Sequence, residues 1–277
     1  MPDEAVGGRR GIAAVCTGLV KIYWSASGEV HALKGIDALF PAGEVTAVVG
    51  PSGSGKSSLL RILGCVDRPT AGQVRIEDVD VSAASPARRR AIRRRLIGYL
   101  FQRPSDNLVP YATALEQLKM AGRLRGRYSR EDARDLLERL GLSSRAHHRP
   151  EQLSGGEQQR LGLATAVIGG PALVVADEPT AELDTASGQA LMRIVGALAD
   201  EGATFVVATH DPIVTGAADR ILHLRHGAME AETTEDRKLS VIDDFGRIQL
   251  PPQALPLFPD RRAVISFEDG EVRITPP

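Results

Sequence analysis

The sequence predicts an α/β protein built around a parallel β-sheet that carries a phosphate-binding loop. A short β-branched run, Val45–Val49, leads into a glycine-rich turn, and the helical sequence Ser57–Leu63 follows. Further along, Leu173–Ala176 and Phe205–Ala208 are continuous apolar runs of strand length with helical sequence between them. Strands that are apolar on both faces and alternate with helices are typical of parallel sheets covered on both sides.

Composition and charge restrict the class of function. The 277 residues leave room for one large domain or two smaller ones. With 34 basic and 35 acidic residues the net charge is -1, so no overall field attracts nucleic acid or a membrane surface. The apolar stretches are strand-length, whereas a bilayer span needs about 20 mostly apolar residues. No signal peptide is visible, and the two cysteines fit a reducing cytosolic setting. Any membrane role is therefore expected to run through a partner.

The first part of the chain predicts an antiparallel β region. Gly11–Val20 and His31–Phe40 are strand-rich, and turn signals lie near Ala26–Gly28 and Pro41–Gly43.

The turn Gly50–Ser57 has the pattern G-x-x-x-x-G-K-S between a strand and a helix. Its glycines let backbone N–H groups turn inward around an anion, and the following helix directs its N-terminal dipole at the same phosphates. Lys56 is expected to bind the β- and γ-phosphates of ATP, and Ser57 to bind Mg²⁺. The residues predicted to bind nucleotide here are Gly50, Ser52, Gly53, Ser54, Gly55, Lys56, Ser57 and Ser58.

Two carboxylates follow the apolar strand Leu173–Ala176. The carboxyl ends of parallel strands are where such sheets bind ligands. Asp177 is expected to bind Mg²⁺, and Glu178 to orient or deprotonate the attacking water.

A helical insertion subdomain is predicted over about 103–165. From Glu131 apolar residues recur at helical spacing, and Ser154 with Glu157 forms a capping box at the head of a further helix. Near the end of the core, Asp211 and Pro212 are suited to the N-cap and first position of another helix.

Together these motifs resemble the ATP-binding subunit of ABC transporters, a P-loop NTPase core, over roughly Gly11 to Glu232. Leu153-Ser-Gly-Gly-Glu-Gln-Gln-Arg160 matches the signature motif of that family. The resemblance implies that Ser154, Gly155 and Gly156 contact the γ-phosphate bound by a second copy, so that two chains meet head to tail on ATP.

The resemblance assigns four further residues. Gln102 would link Mg²⁺ or the attacking water to the helical subdomain, and Asp184 would cross the dimer interface. His210 would sense the γ-phosphate, and Tyr23 would stack on adenine.

The segment from Phe101-Gln102 to Leu108–Glu116 resembles the lipoprotein-releasing and macrolide-exporter group. This implies a separate integral membrane permease, driven by ATP hydrolysis for export or mechanotransmission. The chain would then be cytoplasmic and peripheral, held at the inner face of the cell membrane by the permease.

An alternative is a soluble ATPase of the same type that acts on the ribosome or on nucleic acid. Such proteins usually carry two ATPase units or a long coiled-coil insertion, whereas this sequence has one phosphate loop and no long heptad tract. The arginine-rich run Pro86–Arg95 could bind phosphates, but a solvated helix is the favoured interpretation. We expect no nucleic-acid partner.

The sequence divides into an ATPase domain, 1–232, and a small β-rich extension, 233–277. Asp269-Gly270, between Val264–Phe267 and Val272–Ile274, predicts a hairpin. The segment resembles the AbrB-like swapped-hairpin module, yet its eight acidic and six basic residues argue against DNA binding. Two interpretations stay open: a dimerising or regulatory appendage, and a β-rich extension packed on its own subunit.

Overall fold

The computed structural model describes residues 11–25, 28–234, 238–240, 254–258, 262–268 and 271–276. In these residues the strands, in chain order, are β1 Ile12–Ser25, β2 Gly28–Pro41, β3 Val45–Val49, β4 Ala71–Ile76, β5 Val79–Asp80, β6 Ile97–Leu100, β7 Leu173–Asp177, β8 Phe205–Ala208, β9 Arg220–Arg225, β10 Ala228–Thr234, β11 Lys238–Ser240, β12 Val264–Glu268 and β13 Glu271–Thr275. The α-helices are α1 Lys56–Leu63, α2 Pro86–Leu96, α3 Ala114–Arg125, α4 Arg130–Arg139, α5 Gly155–Val167, α6 Thr185–Asp200 and α7 Pro212–Thr215. Short 3₁₀ helices lie at Pro104–Asp106, Ser143–Arg145, Pro150–Gln152 and Leu255–Leu257.

The central sheet has the order β11-β10-β9-β3-β8-β7-β6. The run from β9 to β6 is parallel, as the sequence predicted, and β10 and β11 add antiparallel strands at one edge. A second, antiparallel sheet of order β2-β1-β4-β5 contains the predicted N-terminal β region. Its first two strands run further than predicted, and residues 26–27 of the predicted turn lie outside the described residues.

Two apolar cores cover opposite faces of the parallel sheet. In β7, Val174 and Ala176 enter one core, whereas Leu173 and Val175 enter the other. The first core is completed by α3 to α6, and the second by α1 and the antiparallel sheet. Because successive side chains of a strand point to opposite faces, burial on both sides requires the continuous apolar runs seen in the sequence.

The two helix starts that the sequence predicted have the expected caps. Ser154 Oγ accepts a hydrogen bond from Glu157 N (3.3 Å), and Glu157 Oε2 accepts one from Ser154 N (2.8 Å), which confirms the capping box. Asp211 caps α7, and Pro212 follows it as predicted. These side chains satisfy N–H groups that the first helical turn leaves without partners.

The central sheet continues past the predicted domain boundary at residue 232. β10 runs to Thr234, and Thr233 pairs with Lys238 of β11. Residues 233–238 are polar, and an edge strand is solvated and tolerates such residues. The central sheet therefore extends beyond residue 232, and the division of the chain into two domains stays a prediction.

In the C-terminal part, β12 and β13 pair antiparallel, with Phe267 beside Val272 and Glu268 beside Glu271. The predicted turn residues 269–270 lie outside the described residues, as do 241–253. Across the described ranges, no helix combines the length and the apolar character that crossing a membrane requires.

Candidate active site

The carboxyl ends of four neighbouring parallel strands bring most of the predicted site residues to one edge of the sheet. β3 leads into the phosphate loop, β8 leads to His210, β7 ends at Asp177, and β6 leads to Gln102. In register, Val48 of β3 and Asp177 of β7 both lie beside Ala208 of the intervening β8. The shared strand direction thus gathers residues that are far apart in sequence.

The phosphate loop depends on left-handed glycines. Gly50 and Gly55 have φ of 154° and 107°. A Cβ at Gly50 would collide with the carbonyl oxygen of Leu224, and one at Gly55 would collide with that of Ala32. These close approaches, together with the positive φ, explain why both positions are glycine.

Lys56 lies folded across the loop. Its Nζ donates hydrogen bonds to the carbonyl oxygens of Gly50 (2.7 Å) and Pro51 (3.2 Å). Ser52, Gly53 and Ser57 are exposed on the loop, so an anion can reach them. The ammonium group is therefore held at the phosphate loop by neutral carbonyl oxygens, which an anionic phosphate can replace as acceptors.

Ser54 is the loop residue that the structure turns inward. Its side chain is 2% exposed, and its N–H donates to the carbonyl oxygen of Pro51 (3.1 Å). The turn that closes the loop uses its backbone donor, and the assignment of Ser54 to the phosphate-binding residues stays a prediction.

Glu178 is held in a strained and hydrogen-bonded position. Its φ is 46°, in a region that non-glycine residues rarely occupy. Thr209 Oγ1 donates to its Oε2 (3.1 Å), the His210 N–H donates to the same oxygen (3.3 Å), and His210 Nδ1 lies 2.7 Å from Oε1. The carboxylate that the sequence predicts as the base thus has a fixed orientation.

Asp177 and Ser57 form the candidate Mg²⁺ position. Burial raises the pKa of Asp177, and a hydrogen bond with the Ser57 hydroxyl acts in the opposite direction. A hydroxyl and a carboxylate are the hard oxygen ligands that Mg²⁺ prefers, and the structure brings the two together. The donor set therefore fits the ion.

The signature segment, Ser154–Gly156, lies at the start of α5, where Ser154 and Gly155 are exposed. A Cβ at Gly155 would meet no atom within 4 Å, and at Gly156 the nearest atom would be Arg160 Nη1 at 3.8 Å. In the described residues, no hydrogen bond of Ser154, Gly155 or Gly156 reaches the phosphate loop of the same chain. Within one molecule, the signature segment and the phosphate loop are therefore not connected by these hydrogen bonds.

A salt bridge stabilises the first turn of α5, which begins in this segment. Arg145 Nε lies 2.9 Å from Glu157 Oε1. This contact, aided by the Ser154 N–H, lowers the pKa of Glu157 from 4.5 to about 2. The capping carboxylate thus stays charged at any physiological pH.

Tyr23 lies beside the start of α1. Its hydroxyl donates to Asp67 Oδ2 (3.0 Å), and it also hydrogen-bonds with Ser58. Lys21 Nζ lies 4.8 Å from the ring centroid and covers one face. The predicted stacking on adenine would have to use the other face.

Gln102 and Asp184 occupy exposed positions. Gln102 follows β6 after Phe101, at the same sheet edge as Asp177. Asp184 accepts hydrogen bonds from Ser187 N (2.9 Å) and Ser187 Oγ (3.0 Å), so it caps α6 of its own chain. This local role does not appear in the sequence resemblance.

Three supporting residues were missed by sequence reasoning. Gln159 is buried, and its Nε2 donates to the carbonyl oxygen of Pro179 (2.8 Å), which ties α5 to the loop after Glu178. Thr209 orients Glu178, and Asp67 binds Tyr23 and Arg61. Of these three residues, only Gln159 lies inside a motif that the sequence analysis had recognised, the signature motif.

Comparison with known proteins identifies the family. The family model described as ABC transporter matches residues 33–181, just over half of the chain. The chain belongs to the ABC transporter family. The resemblance to ABC transporter ATP-binding subunits, the fold class with its P-loop NTPase core, and ATPase activity are thereby confirmed.

Two kinds of protein stand among the curated relatives of this ABC ATPase. An uncharacterized ABC transporter ATP-binding protein of Thermotoga maritima is 43% identical over 76% of this chain and 90% of its own length. The macrolide export ATP-binding/permease protein MacB of Chromobacterium violaceum is 41% identical over 76% of this chain. This chain spans 33% of that MacB, about a third of its length.

Solved structures give the same family and fold. The ATP-binding cassette MJ0796, in a dimeric post-hydrolysis state bound to ADP and Pi, has a TM-score of 0.73 and 36% identity. The match covers 80% of this ABC ATPase and 98% of that chain. A second dimeric structure of MJ0796 has a TM-score of 0.71 and 37% identity.

Proposed function

We propose that this chain is the cytoplasmic ATP-binding subunit of a membrane complex. Two copies close head to tail on ATP, hydrolyse it and drive a separate integral membrane permease in export or mechanotransmission. The dimeric MJ0796 cassettes support the assembly, and MacB, named as an ATP-binding/permease protein, supports the coupling to a permease.

The observation that carries the proposal is the surface of the signature segment. Ser154 and Gly155 start a helix, where N–H groups and the helix dipole attract anions. Gly155 has no positive φ and no neighbour that would exclude a Cβ. Contacts inside the chain give no reason for glycine there, whereas close approach of a second copy's nucleotide does.

The chemistry follows from the residues at the sheet edge. Lys56 and the loop N–H groups bind the β- and γ-phosphates. Ser57 and Asp177, with Gln102, would hold Mg²⁺, which supplies positive charge to the phosphates. Glu178 orients the attacking water and accepts its proton.

His210 completes the site from the next strand. Its Nδ1 contacts Oε1 of Glu178, so Nε2 is the ring nitrogen that remains for the γ-phosphate. Tyr23 stacks on adenine, and Asp184 contacts the partner at the interface. Ser154, Gly155 and Gly156 of the second copy close the site, so each chain alone is inactive.

The test of the dimer uses Glu178→Gln, which removes the base but keeps the shape. The variant should elute as a dimer in gel filtration with ATP and Mg²⁺, and as a smaller species with ADP. The matched control is Glu178→Gln combined with Lys56→Met, which should stay small with ATP. A Glu178→Gln chain that never dimerises with ATP would overturn closure.

Exposed apolar residues next to the Gln102 loop supply a docking surface for the permease. Tyr111 is 76% exposed, and the exposed Met120 lies with it on one surface. Leu124 and Phe101 are exposed as well. Apolar side chains that cluster on a protein surface are typical of an interaction site. An amphipathic cytoplasmic helix of the permease fits it, because the patch also carries Lys119 and Arg123 at its polar rim.

The partner is tested by affinity purification from detergent-solubilised membranes. A polytopic membrane protein should copurify with the parent chain and be lost with Tyr111→Asp, while ATPase activity of the purified chain is retained. Copurification of ribosomes or DNA instead of a membrane protein would favour the soluble alternative, for which the arginine-rich α2 would be the binding surface.

The residues after 240 are proposed as a separate β-rich extension with a dimerising or regulatory role. One face of the hairpin exposes Ile265, Phe267 and Val272. A two-stranded hairpin is marginally stable unless such a face is covered. Removal of residues 241–277 should change dimerisation or ATPase activity, and unchanged values would eliminate the role.

A further inference from the structure

Arg125, the last residue of α3, has a side chain that sequence motifs do not single out. Its guanidinium donates four hydrogen bonds to backbone carbonyl oxygens. Nη1 binds Thr165 O and Ile168 O, both at 3.0 Å. Nη2 binds Ala166 O (2.9 Å) and Ile97 O (3.2 Å).

These four acceptors belong to two other elements. Three lie in the last turn of α5 or directly after it, and the fourth is the first residue of β6. α5 begins with the signature segment, and β6 leads to Gln102. One side chain of α3 therefore joins the helix that carries the signature to the strand that carries the Gln102 loop.

The electrostatics favour this arrangement. The last carbonyl groups of a helix have no partners inside the helix and carry the negative end of its dipole. A planar guanidinium with several fixed donors can satisfy several of them at once, whereas an ammonium group acts as a point charge. Burial lowers the pKa of Arg125 to about 10, so it remains charged at neutral pH.

The backbone around this junction is tightly packed. A Cβ at Gly98 of β6 would collide with the carbonyl oxygen of Ala166 in α5. A Cβ at Gly169 would lie 2.8 Å from Arg127 O and 3.4 Å from the Arg125 side chain. The end of α5 thus cannot shift without moving β6 and the end of α3.

We propose that Arg125 is a positioning residue for the composite site, that is, the nucleotide site of one chain closed by Ser154–Gly156 of the other. By holding the carboxyl end of α5 against β6, it fixes the direction in which the helix presents Ser154–Gly156 to the nucleotide of the second copy. Because α3 also carries the exposed Met120 and Leu124, Arg125 would transmit a displacement of that surface to the signature segment. This inference rests on the head-to-tail dimer proposed above.

Arg125 acts at a distance from the nucleotide. Gly156 and Thr165, the first α5 residue that Arg125 contacts, are nine residues apart, or about 14 Å at a rise of 1.5 Å per residue. In addition, none of the four hydrogen bonds of Arg125 involves the phosphate loop. Loss of Arg125 should therefore leave binding of nucleotide to the chain's own phosphate loop unchanged, and should weaken only the step in which two chains meet.

The experiment compares Arg125→Met and Arg125→Lys in the Glu178→Gln background. The ATP concentration that gives half-maximal dimer, from light scattering, should rise about tenfold or more for Arg125→Met, equivalent to about 1.4 kcal/mol. Arg125→Lys, which keeps the charge but not the fork of donors, should give an intermediate value. Affinity for a fluorescent ADP analogue, measured on the same proteins, should match the parent.

The control is Arg139→Met, which removes an ion pair of 2.6 Å between Arg139 and Glu201 in the same helical region. It should dimerise like the parent. Equal ATP midpoints for Arg125→Met and the parent would overturn the positioning role, and so would a parallel loss of ADP-analogue affinity, which indicates general destabilisation. A parent that never dimerises would overturn the dimer itself and this inference with it.

Discussion

His210 Nδ1 lies 2.7 Å from Oε1 of Glu178, although the two residues are 32 positions apart in the chain. Glu178 follows β7 and His210 follows β8, and these parallel strands are neighbours in the sheet. The orientation of the proposed base thus depends on a histidine from the next strand.

Replacement of His210 by alanine should lower kcat for ATP hydrolysis by about 10²-fold or more, because general base catalysis contributes about 10²–10⁴-fold. The KM for ATP should change little, since Lys56 and the loop remain. Phosphate release over a range of ATP concentrations measures both. His147→Ala, at an exposed histidine, is the control, and a parental kcat in His210→Ala would contradict the pairing.

Lys56→Met should weaken nucleotide binding about 10- to 100-fold, since hydrogen bonds from charged groups contribute about 1.5–3 kcal/mol. Fluorescence titration with a labelled ADP measures the change. Lys119→Met removes an exposed lysine of α3 and should bind like the parent. Equal affinities for the two variants would argue against the assignment of the loop.

Gly155→Ala should affect stability and activity in opposite directions. Its Cβ has open space, so the free energy of unfolding should rise by roughly 0.4–1 kcal/mol through the unfolded state. ATP-driven dimerisation and hydrolysis should fall, because the methyl group lies where the second chain's phosphate approaches. Urea unfolding and phosphate release test the two effects.

Gly196→Ala in α6 is the matched control, since a Cβ there also meets no atom within 4 Å. This variant should gain stability and keep its activity. If Gly155→Ala behaved in the same way, the signature segment would not approach a nucleotide.

The pKa of Glu157 predicts an acid-sensitive contribution to stability. Its value in the folded chain is about 2, below the ordinary 4.5, because of Arg145 and the Ser154 N–H. A carboxyl with a lowered pKa stabilises the fold above about pH 4.5, and the stabilisation is lost as the pH falls towards 2. Urea unfolding at a series of pH values should show this decline.

Arg145→Met should make the decline shallower, because it removes the largest cause of the lowered pKa. Arg134→Met, at an exposed position of α4, should leave the pH dependence as in the parent. An identical slope in Arg145→Met and the parent would show that the ion pair does not contribute.

Structural features that depend on a few neighbouring residues were predictable from the sequence. The apolar runs of β3, β7 and β8 predict buried parallel strands because both of their faces must be covered. The glycines and lysine of Gly50–Ser57 predict a phosphate cradle because backbone conformation and charge are set within a few residues. The Ser154–Glu157 box is equally local.

Other features could not be predicted in this way. The polar sequence after residue 232 did not predict a continued sheet, yet Thr233 and Thr234 lie in β10 and Lys238–Ser240 form β11, because pairing at a sheet edge is decided by the neighbouring strand. The hydrogen bond from the Ser54 N–H to Pro51 also appears only in the structure, and phosphate binding by Ser54 stays a prediction. Asp184 caps its own helix in addition to the interface role that the resemblance assigns.

By itself, the sequence determined which residues could bind a triphosphate, which carboxylate could act on water, and that a second phosphate-reading segment was present. Only the tertiary structure decided that His210 holds Glu178, that Gln159 reaches Pro179, and that Arg125 joins α5 to β6. Local motifs depend on short-range backbone geometry, which a sequence pattern records. Contacts between separate strands and helices depend on how the chain packs, and no spacing of residues specifies them.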